Sequence, residues 1–393
     1  FMANVTKRIE NDTLYFELEG RIDTSNANQI DQTIQNLKSD FTGTNYVIDA
    51  AKLEFISSAG LRIILRLLKE LKQLKIINVS TDVYEILDMT GFTDMLTVEK
   101  AFRQISIEGC ELIARGGNGC IYRYGEENIV KTYHNGASLD EIRNEKDLCR
   151  MVFVKGINTA IPYDVVKVGD SYGSVAELLN AKSIAKILQT NPEKFEDCMN
   201  IYTELLKKIH STPVEIGEMP SMKETGVKWI KDLEAELPQD QWTKLFNMIN
   251  NISEPKFMVH GDYHINNVMI QDEEPLLIDM DTVAFGHPIF EFAAIYLGYV
   301  GYCESNPSGT MDFYGLPYET TTKIWKTLLE KYYNGDQAKI QEIETKAKII
   351  GYARMLRRTI RRVGRDTEEG KIQIELCKNH LTELLPLVDT LEC

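Results

Sequence analysis

The stretch His260-Gly261-Asp262-Tyr263-His264-Ile265-Asn266-Asn267, followed by Leu277-Ile278-Asp279-Met280-Asp281, decides the reading of this chain. Between Asn267 and Asp279 lie Val268-Met269-Ile270, a turn-rich Gln271-Asp272-Glu273-Glu274-Pro275, and Leu276-Leu277-Ile278. Two short apolar runs about a polar turn predict an antiparallel hairpin centred near Glu273. Counted outward from that centre, Asn267 and Asp279 face each other at the open end. Directly opposed residues hold their Cβ atoms roughly 5 Å apart, close enough to share one metal ion through hard oxygen ligands. Asp262, on the loop entering the hairpin, points toward the same spot. A carboxylate, an amide and a second carboxylate at this spacing suit Mg²⁺-assisted phosphoryl transfer.

The bulk composition narrows the class. A chain of 393 residues is too long for one ordinary core, so two or three domains are expected. Hydrophobic content of 43% with 26% charged residues belongs to a soluble globular protein. The formal net charge of −15 argues against a general nucleic-acid binder, because phosphate would be repelled over most of the surface. Seven cysteines with no Cys-x-x-Cys pair suit neither a disulfide framework nor a zinc site, and a cytoplasmic location fits them. The longest apolar stretch, around Phe290 to Tyr302, is too short for a membrane span and contains Glu291.

Residues 2–104 read as a self-contained αβ domain. Leu14 to Leu18 alternates like a strand, and Tyr46 to Ile48 and Lys75 to Val79 are short buried-strand runs. Helical periodicity covers Thr24 to Leu37 and Gly60 to Leu74. Leu53 to Arg62 ends a strand and opens a helix, placing Ser57 and Ser58 at its start. Either serine serves there as a helix cap. A phosphate on Ser58 would also be held by the unpaired N–H groups of the first turn.

This first region resembles the STAS domain, the family of anti-sigma factor antagonists. The resemblance rests on Glu19-Gly20-Arg21-Ile22-Asp23, the Phe55 to Leu61 stretch and Met89-Thr90-Gly91-Phe92. It implies that Ser58 is a regulatory phosphorylation site and that a STAS-interacting regulatory protein is a partner. Ser57 stands where many members carry aspartate, and Ala59 where many carry a second serine.

From residue 105 onward a second domain is expected, with a β-rich lobe over 105–180 and a helical lobe over 181–393. Gly116, Gly117 and Gly119 lie between two strand-like runs, either as a plain hairpin turn or as a loop whose amides approach phosphate. Lys131 sits on the strand Asn128 to Tyr133. The helix that follows opens with the capping box Ser138-x-x-Glu141, and from it Glu145 can reach back to Lys131. The strand Gly173 to Leu179 suits a hinge, with backbone groups of Glu177 and Leu179 facing an adenine edge.

Glycine loop, strand lysine, helix glutamate, hinge, acidic loop and metal aspartate follow one another in protein-kinase-like order. Over roughly residues 105–393 the chain resembles the aminoglycoside phosphotransferase family of small-molecule kinases. The signature His-Gly-Asp-(x4)-Asn is met by His260, Gly261, Asp262 and Asn267, followed by Asp279 and Asp281. The resemblance implies Asp262 as catalytic base, Asn267 and Asp279 as Mg²⁺ ligands, and Lys131 as the lysine on the phosphates of ATP. Glu291 stands where the family often has aspartate and is expected to support the catalytic loop. His260 is expected to orient that loop through hydrogen bonds.

The expected fold is therefore α/β plus α+β, a STAS domain followed by a two-lobed protein-kinase-like domain. The expected activity is that of an ATP:alcohol phosphotransferase. Only Met280 to Pro288 separate Asp279 from the next helix, too little for a peptide-docking activation segment, so a small-molecule acceptor is favoured. Members of the family act on aminoglycosides, choline, homoserine and ketosamines, so the resemblance names no single acceptor. Arg354, Arg357, Arg358, Arg361, Arg362 and Arg365 form a basic helical stripe. It is either a solvated face paired with acids, or in part, through Arg357 and Arg361, the lining of a pocket for an anionic acceptor. Two alternatives stay open: a serine kinase acting on Ser58 of its own or another chain, and a nucleotide-binding pseudokinase.

Overall fold

The computed structural model describes residues 3–71, 73–115, 119–133, 138–215 and 217–393. The chain forms two compact units, Phe1–Ser106 with Val165–Ser171, and Ile107–Asp164 with Tyr172–Cys393.

The first unit is a five-stranded sheet with helices. Its elements are β1 (Asn4–Glu10), β2 (Thr13–Ile22), α1 (Ala27–Lys38), β3 (Asn45–Ile56), α2 (Ser58–Glu70), β4 (Gln73–Val79), α3 (Thr81–Met89), α4 (Phe92–Met95) and β5 (Thr97–Lys100). The strands lie in the order β1-β2-β3-β4-β5, with β1 antiparallel to β2 and the rest parallel. Along β2 the side chains of Leu14, Phe16, Leu18 and Ile22 are buried on alternate positions, as a strand with one covered face requires. They pack with Ile48, Leu67 and Ile76 into this unit's own core. The helix expected to run to Leu74 ends at Glu70, because Leu71 turns extended and Leu74 already pairs with Tyr46. Arg103–Ile105 (β6) closes the unit.

In the second unit the strands are β7 (Leu112–Arg115), β8 (Gly119–Tyr124), β9 (Asn128–Tyr133) and β11 (Ser171–Glu177), while β10 (Asp164–Val168) falls almost wholly in the first unit, paired with β6. Strands β7, β8, β9 and β11 form an antiparallel run in the order β11-β9-β8-β7. Between β9 and β10 lies α5 (Leu139–Val154), whose capping box at Ser138 and Glu141 is fully formed. After β11 come β12 (Lys182–Ser183), α6 (Ile184–Thr190), α7 (Phe195–Ser211), α8 (Met222–Lys231) and α9 (Gln239–Asn250). The site-bearing segment follows as β13 (Met258–Val259), β14 (Val268–Gln271), β15 (Glu274–Leu277) and β16 (Ala284–Phe285). The chain ends in α10 (Ile289–Tyr299), α11 (Gly309–Tyr314), α12 (Tyr318–Tyr332), α13 (Gln337–Arg358) and α14 (Glu368–Leu384). Fully buried Trp325, Tyr202, Tyr263, Tyr299 and Tyr352 anchor the helical core. Among the described residues, no helix is long and apolar enough to cross a membrane.

Gly116 and Gly117 of the expected glycine loop lie outside the described residues. Gly119 opens β8 opposite Tyr133, and a Cβ there would fall 1.8 Å from the Thr132 carbonyl oxygen. Only glycine lets the two strands approach this closely. Gly119→Ala is therefore expected to cost about 1–3 kcal/mol, read as a lowered denaturation midpoint in urea.

Candidate active site

The hairpin β14–β15 forms, but its register differs by one residue from the sequence expectation. Asp272 and Glu273 both take positive φ, 50° and 68°, so the turn centre falls between them. Val268 then pairs with Leu277, and the Ile278 N–H donates to the Asn267 carbonyl at 2.9 Å. Asn267 consequently faces Ile278, and Asp279 stands one position beyond. Asp279 itself is left-handed, with φ 66° and ψ 73°, a conformation uncommon outside glycine. This kink breaks strand alternation and brings Asp279 Oδ1 within 3.4 Å of Lys131 Nζ.

Lys131 is the centre of a charged cluster. Its Nζ donates to Glu145 Oε1 at 2.5 Å, and Glu145 Oε2 accepts from Tyr133 Oη at 3.0 Å. Tyr133 Oη is also 3.0 Å from Ser174 Oγ on the neighbouring strand. Burial disfavours the Lys131 charge, yet the Asp279 and Glu145 carboxylates outweigh it and hold the ammonium above its ordinary pKa. Helix α5 aims Glu145 inward because it shares a face with buried Ile142, Leu148, Cys149 and Val152.

The loop carrying Asp262 is held by its backbone. Glu291, third residue of α10 and fully buried, accepts the His260 N–H at 2.5 Å and the Gly261 N–H at 3.0 Å. Burial alone would raise its pKa, but His210, 3.9 Å away, and the contacts with His260 lower it. His260 places Nε2 3.2 Å from the Ile278 carbonyl while Nδ1 accepts the Asp262 N–H at 3.3 Å, which puts the ring proton on Nε2. Gly261 takes φ +82°, and a Cβ there would meet the Thr282 carbonyl at 2.6 Å. Asn267 Nδ2 donates to the Asp262 carbonyl at 2.9 Å, fixing the amide by its nitrogen. Beneath the loop, Tyr263 Oη donates to the Tyr202 carbonyl at 2.6 Å and Tyr299 Oη accepts the Ile265 N–H at 2.9 Å.

Two basic residues beside Asp262 were given no individual role by the sequence. His264 Nε2 lies 3.6 Å from Asp262 Oδ2, and Arg354 Nη1 donates to the Gly261 carbonyl at 3.3 Å. Burial pushes the Asp262 carboxyl up, but His264, with Arg354 assisting, pulls it down to about 2. Asp281 behaves oppositely: burial and the Asp279 charge raise it to about 6. Asp262 also contributes to that rise, so three carboxylates crowd one region. Crowded hard-oxygen donors of this kind fit a divalent cation. Among the described residues no three His, Cys, Asp or Glu side chains are arranged as a metal cage. Mg²⁺ ordinarily takes one or two protein carboxylates and completes its shell with phosphates and water.

At the expected hinge, β11 ends at exposed Glu177, the Leu178 N–H donates to the Glu127 carbonyl at 2.8 Å, and half-buried Leu179 follows. In the first unit, Ser58 is the exposed first residue of α2. Ser57 occupies the N-cap position, but its hydroxyl makes no capping bond and is buried without a partner. The expected side-chain cap is thus not formed, because Ser57 Oγ is enclosed instead of turned onto the first helical turn.

Residues 4–105 match the STAS domain family, and residues 116–311 match the phosphotransferase enzyme family. The chain joins a STAS domain to a phosphotransferase-family domain. The latter has a kinase-like fold, and the former the STAS α/β fold. A search of curated proteins found no match. Solved structures similar to the chain include the ADP-bound aminoglycoside phosphotransferase APH(2'')-Ib, at 15% identity and TM-score 0.46, covering 78% of this chain and 97% of that one. The gentamicin complex of APH(2'')-IIa is 16% identical with TM-score 0.47, covering 78% and 97%. An anti-sigma factor antagonist from Mycobacterium paratuberculosis is 19% identical with TM-score 0.24, covering 25% and 86%.

In the phosphotransferase domain, Glu291 supports the loop that carries Asp262 through its backbone. Glu291→Ala leaves two buried N–H groups without their acceptor and is expected to cost about 2–5 kcal/mol in denaturant unfolding. Because its folded pKa is depressed, the stability Glu291 provides is present above the ordinary value of 4.5 and is lost as pH falls below it. The wild-type acid limb of stability should therefore flatten in Glu291→Gln.

Proposed function

We propose that the phosphotransferase domain moves the γ-phosphoryl group of ATP to a hydroxyl of a small molecule. The observation that carries this reading is the Lys131 ammonium at 2.5 Å from Glu145 and 3.4 Å from Asp279. It presents a positioned cation where the phosphates of a nucleotide would lie. Asp262, ionised across the neutral range, accepts the hydrogen bond of the acceptor hydroxyl and takes its proton as the oxygen attacks the γ-phosphorus. The bond from that phosphorus to the bridging β-phosphate oxygen breaks, and ADP departs. Asn267 and Asp279 are the residues that would hold Mg²⁺, which supplies neutralisation of phosphate charge when bound. Gly116, Gly117 and Gly119 would place backbone amides on the phosphates, and Glu177 and Leu179 would face the adenine.

This reading is tested by ADP production with Mg²⁺ over a panel of amino alcohols, sugars, hydroxy acids and aminoglycosides. Asp262→Asn is expected to lower turnover by about 10²–10⁴ with little change in ATP affinity. Lys131→Ala is expected to weaken ATP binding in the same assay. Wild-type chain that binds ATP but forms no ADP with any acceptor would sink the proposal and favour a pseudokinase.

The STAS domain we assign a regulatory or docking role toward a partner protein. Exposed Ser58 at the start of α2, with no cap bond from Ser57, favours a second reading in which Ser58 is phosphorylated by this chain or a copy of it. Incubation with labelled ATP and Mg²⁺ should then label the protein, and Ser58→Ala should abolish the label. All seven cysteines are unpaired, which suits the cytoplasmic setting proposed here.

A further inference from the structure

The basic stripe at the end of α13 separates into two groups with different partners. On one side Arg357 Nε lies 2.5 Å from Asp232 Oδ2, and Arg361 Nη1 approaches the same oxygen at 3.9 Å. Arg365 Nη2 meets Glu236 Oε1 at 2.6 Å. These charges are neutralised within the fold. On the other side, Arg354 and Arg358 have no carboxylate within 4.0 Å among the described residues. Arg354 lies over the Trp229 ring at 5.0 Å and donates to the Gly261 carbonyl, while Arg358 lies over Tyr302 at 5.2 Å and donates to its hydroxyl at 3.3 Å. Neutral partners orient both guanidinium groups without a direct ion pair, and the nearest charge either one is shown to feel is Asp262, through Arg354.

That pattern is unexpected in a chain with 59 acidic residues against 44 basic ones. Arg354 and Arg358 are one helical turn apart, so their side chains are neighbours on the helix surface. Arg354 touches the residue immediately before Asp262, and Arg358 follows it one helical turn along α13. Planar guanidinium forks bind carboxylate and phosphate oxygens bidentately.

We propose that Arg354 and Arg358 form the anion-binding part of the acceptor site. The phosphoryl acceptor is then a small hydroxylated compound carrying a carboxylate or phosphate group close to the hydroxyl presented to Asp262. The proposal rests on the phosphotransferase reading above and narrows its substrate class. A polyamine acceptor of the aminoglycoside type would bring its ammonium groups against two like charges.

The test uses the full chain in titration calorimetry without nucleotide, with inorganic phosphate, glycerol 3-phosphate, malate, glycerol and kanamycin as probes. At least one anionic probe should bind, and glycerol and kanamycin should not. The preference between glycerol 3-phosphate and malate distinguishes phosphate from carboxylate. Arg358→Ala and the Arg354→Gln/Arg358→Ala double variant should weaken that binding at least tenfold, with Arg361→Ala unchanged and melting curves confirming that each variant folds. In turnover, Arg358→Ala should raise the KM of the anionic acceptor tenfold or more while the KM for ATP stays put. Binding of no anion, or binding undiminished in the double variant, overturns the proposal. ADP formed from glycerol or kanamycin without anion binding removes this inference and leaves the phosphotransferase reading intact. Arginine-dependent anion binding with no ADP from any acceptor removes that reading and leaves an anion site.

Discussion

An ammonium group enclosed between two carboxylates sets the geometry on which the phosphotransferase domain depends. Lys131 on β9, Glu145 on α5 and Asp279 after β15 come from three separated parts of the chain, and each needs the others. A buried charge without its partner is strongly destabilising, whereas the matched set is tolerated. The strand fixes where the ammonium stands. The capping box at Ser138 fixes where α5 begins, and hence which face carries Glu145. Tyr133, itself hydrogen-bonded to Ser174, then holds the second oxygen of Glu145, leaving the first for the lysine.

A second carboxylate holds the other wall of the site by a different principle. Among the described residues Glu291 has His210 no closer than 3.9 Å, and its hydrogen bonds go to two backbone N–H groups of the loop. With the longer glutamate side chain, helix α10 reaches the loop while Gly261, at positive φ and too close to the Thr282 carbonyl for any Cβ, turns the chain toward Asp262. Because the loop is fixed through its backbone, Asp262 remains available to His264, Arg354 and a substrate. The depressed Asp262 and the elevated Asp281 are two outcomes of one crowded field, separated by which cations stand near each.

Much of this was legible in the residues. Alternation marked β2 and β9, the Ser-x-x-Glu spacing marked the start of α5, and the Lys131–Glu145 contact followed from their order along the chain. The hairpin existed where apolar runs and a polar turn placed it. Its register did not follow, because Asp272 and Glu273 carry none of the glycine or asparagine that advertises a two-residue turn with positive φ. The one-residue slip takes Asp279 out of line with Asn267, and the left-handed backbone at Asp279 accompanies its contact with Lys131. Backbone handedness of that kind leaves no trace in hydrophobic periodicity. Ser57 misled for a related reason: residue type and position suited a cap, while packing enclosed its hydroxyl.

The arginine stripe shows where spacing stops being informative. On an ideal helix, at about 100° per residue, Arg357 lies about 60° to one side of Arg354 and Arg358 about 40° to the other. Arg361 should return almost to the line of Arg354. After Arg358, however, the chain enters a π-helical turn over Thr359–Val363, which advances less per residue and leaves Arg361 on the Arg357 side. Asp232 therefore collects Arg357 and Arg361, the two residues that spacing alone favoured for an anionic acceptor. Sequence placed six arginines on one face; the widened turn and one aspartate decide which of them stand without an ion pair. Of those with no ion pair among the described residues, Arg354 and Arg358 are the two oriented by aromatic rings, Trp229 and Tyr302, and Arg354 reaches the Gly261 carbonyl.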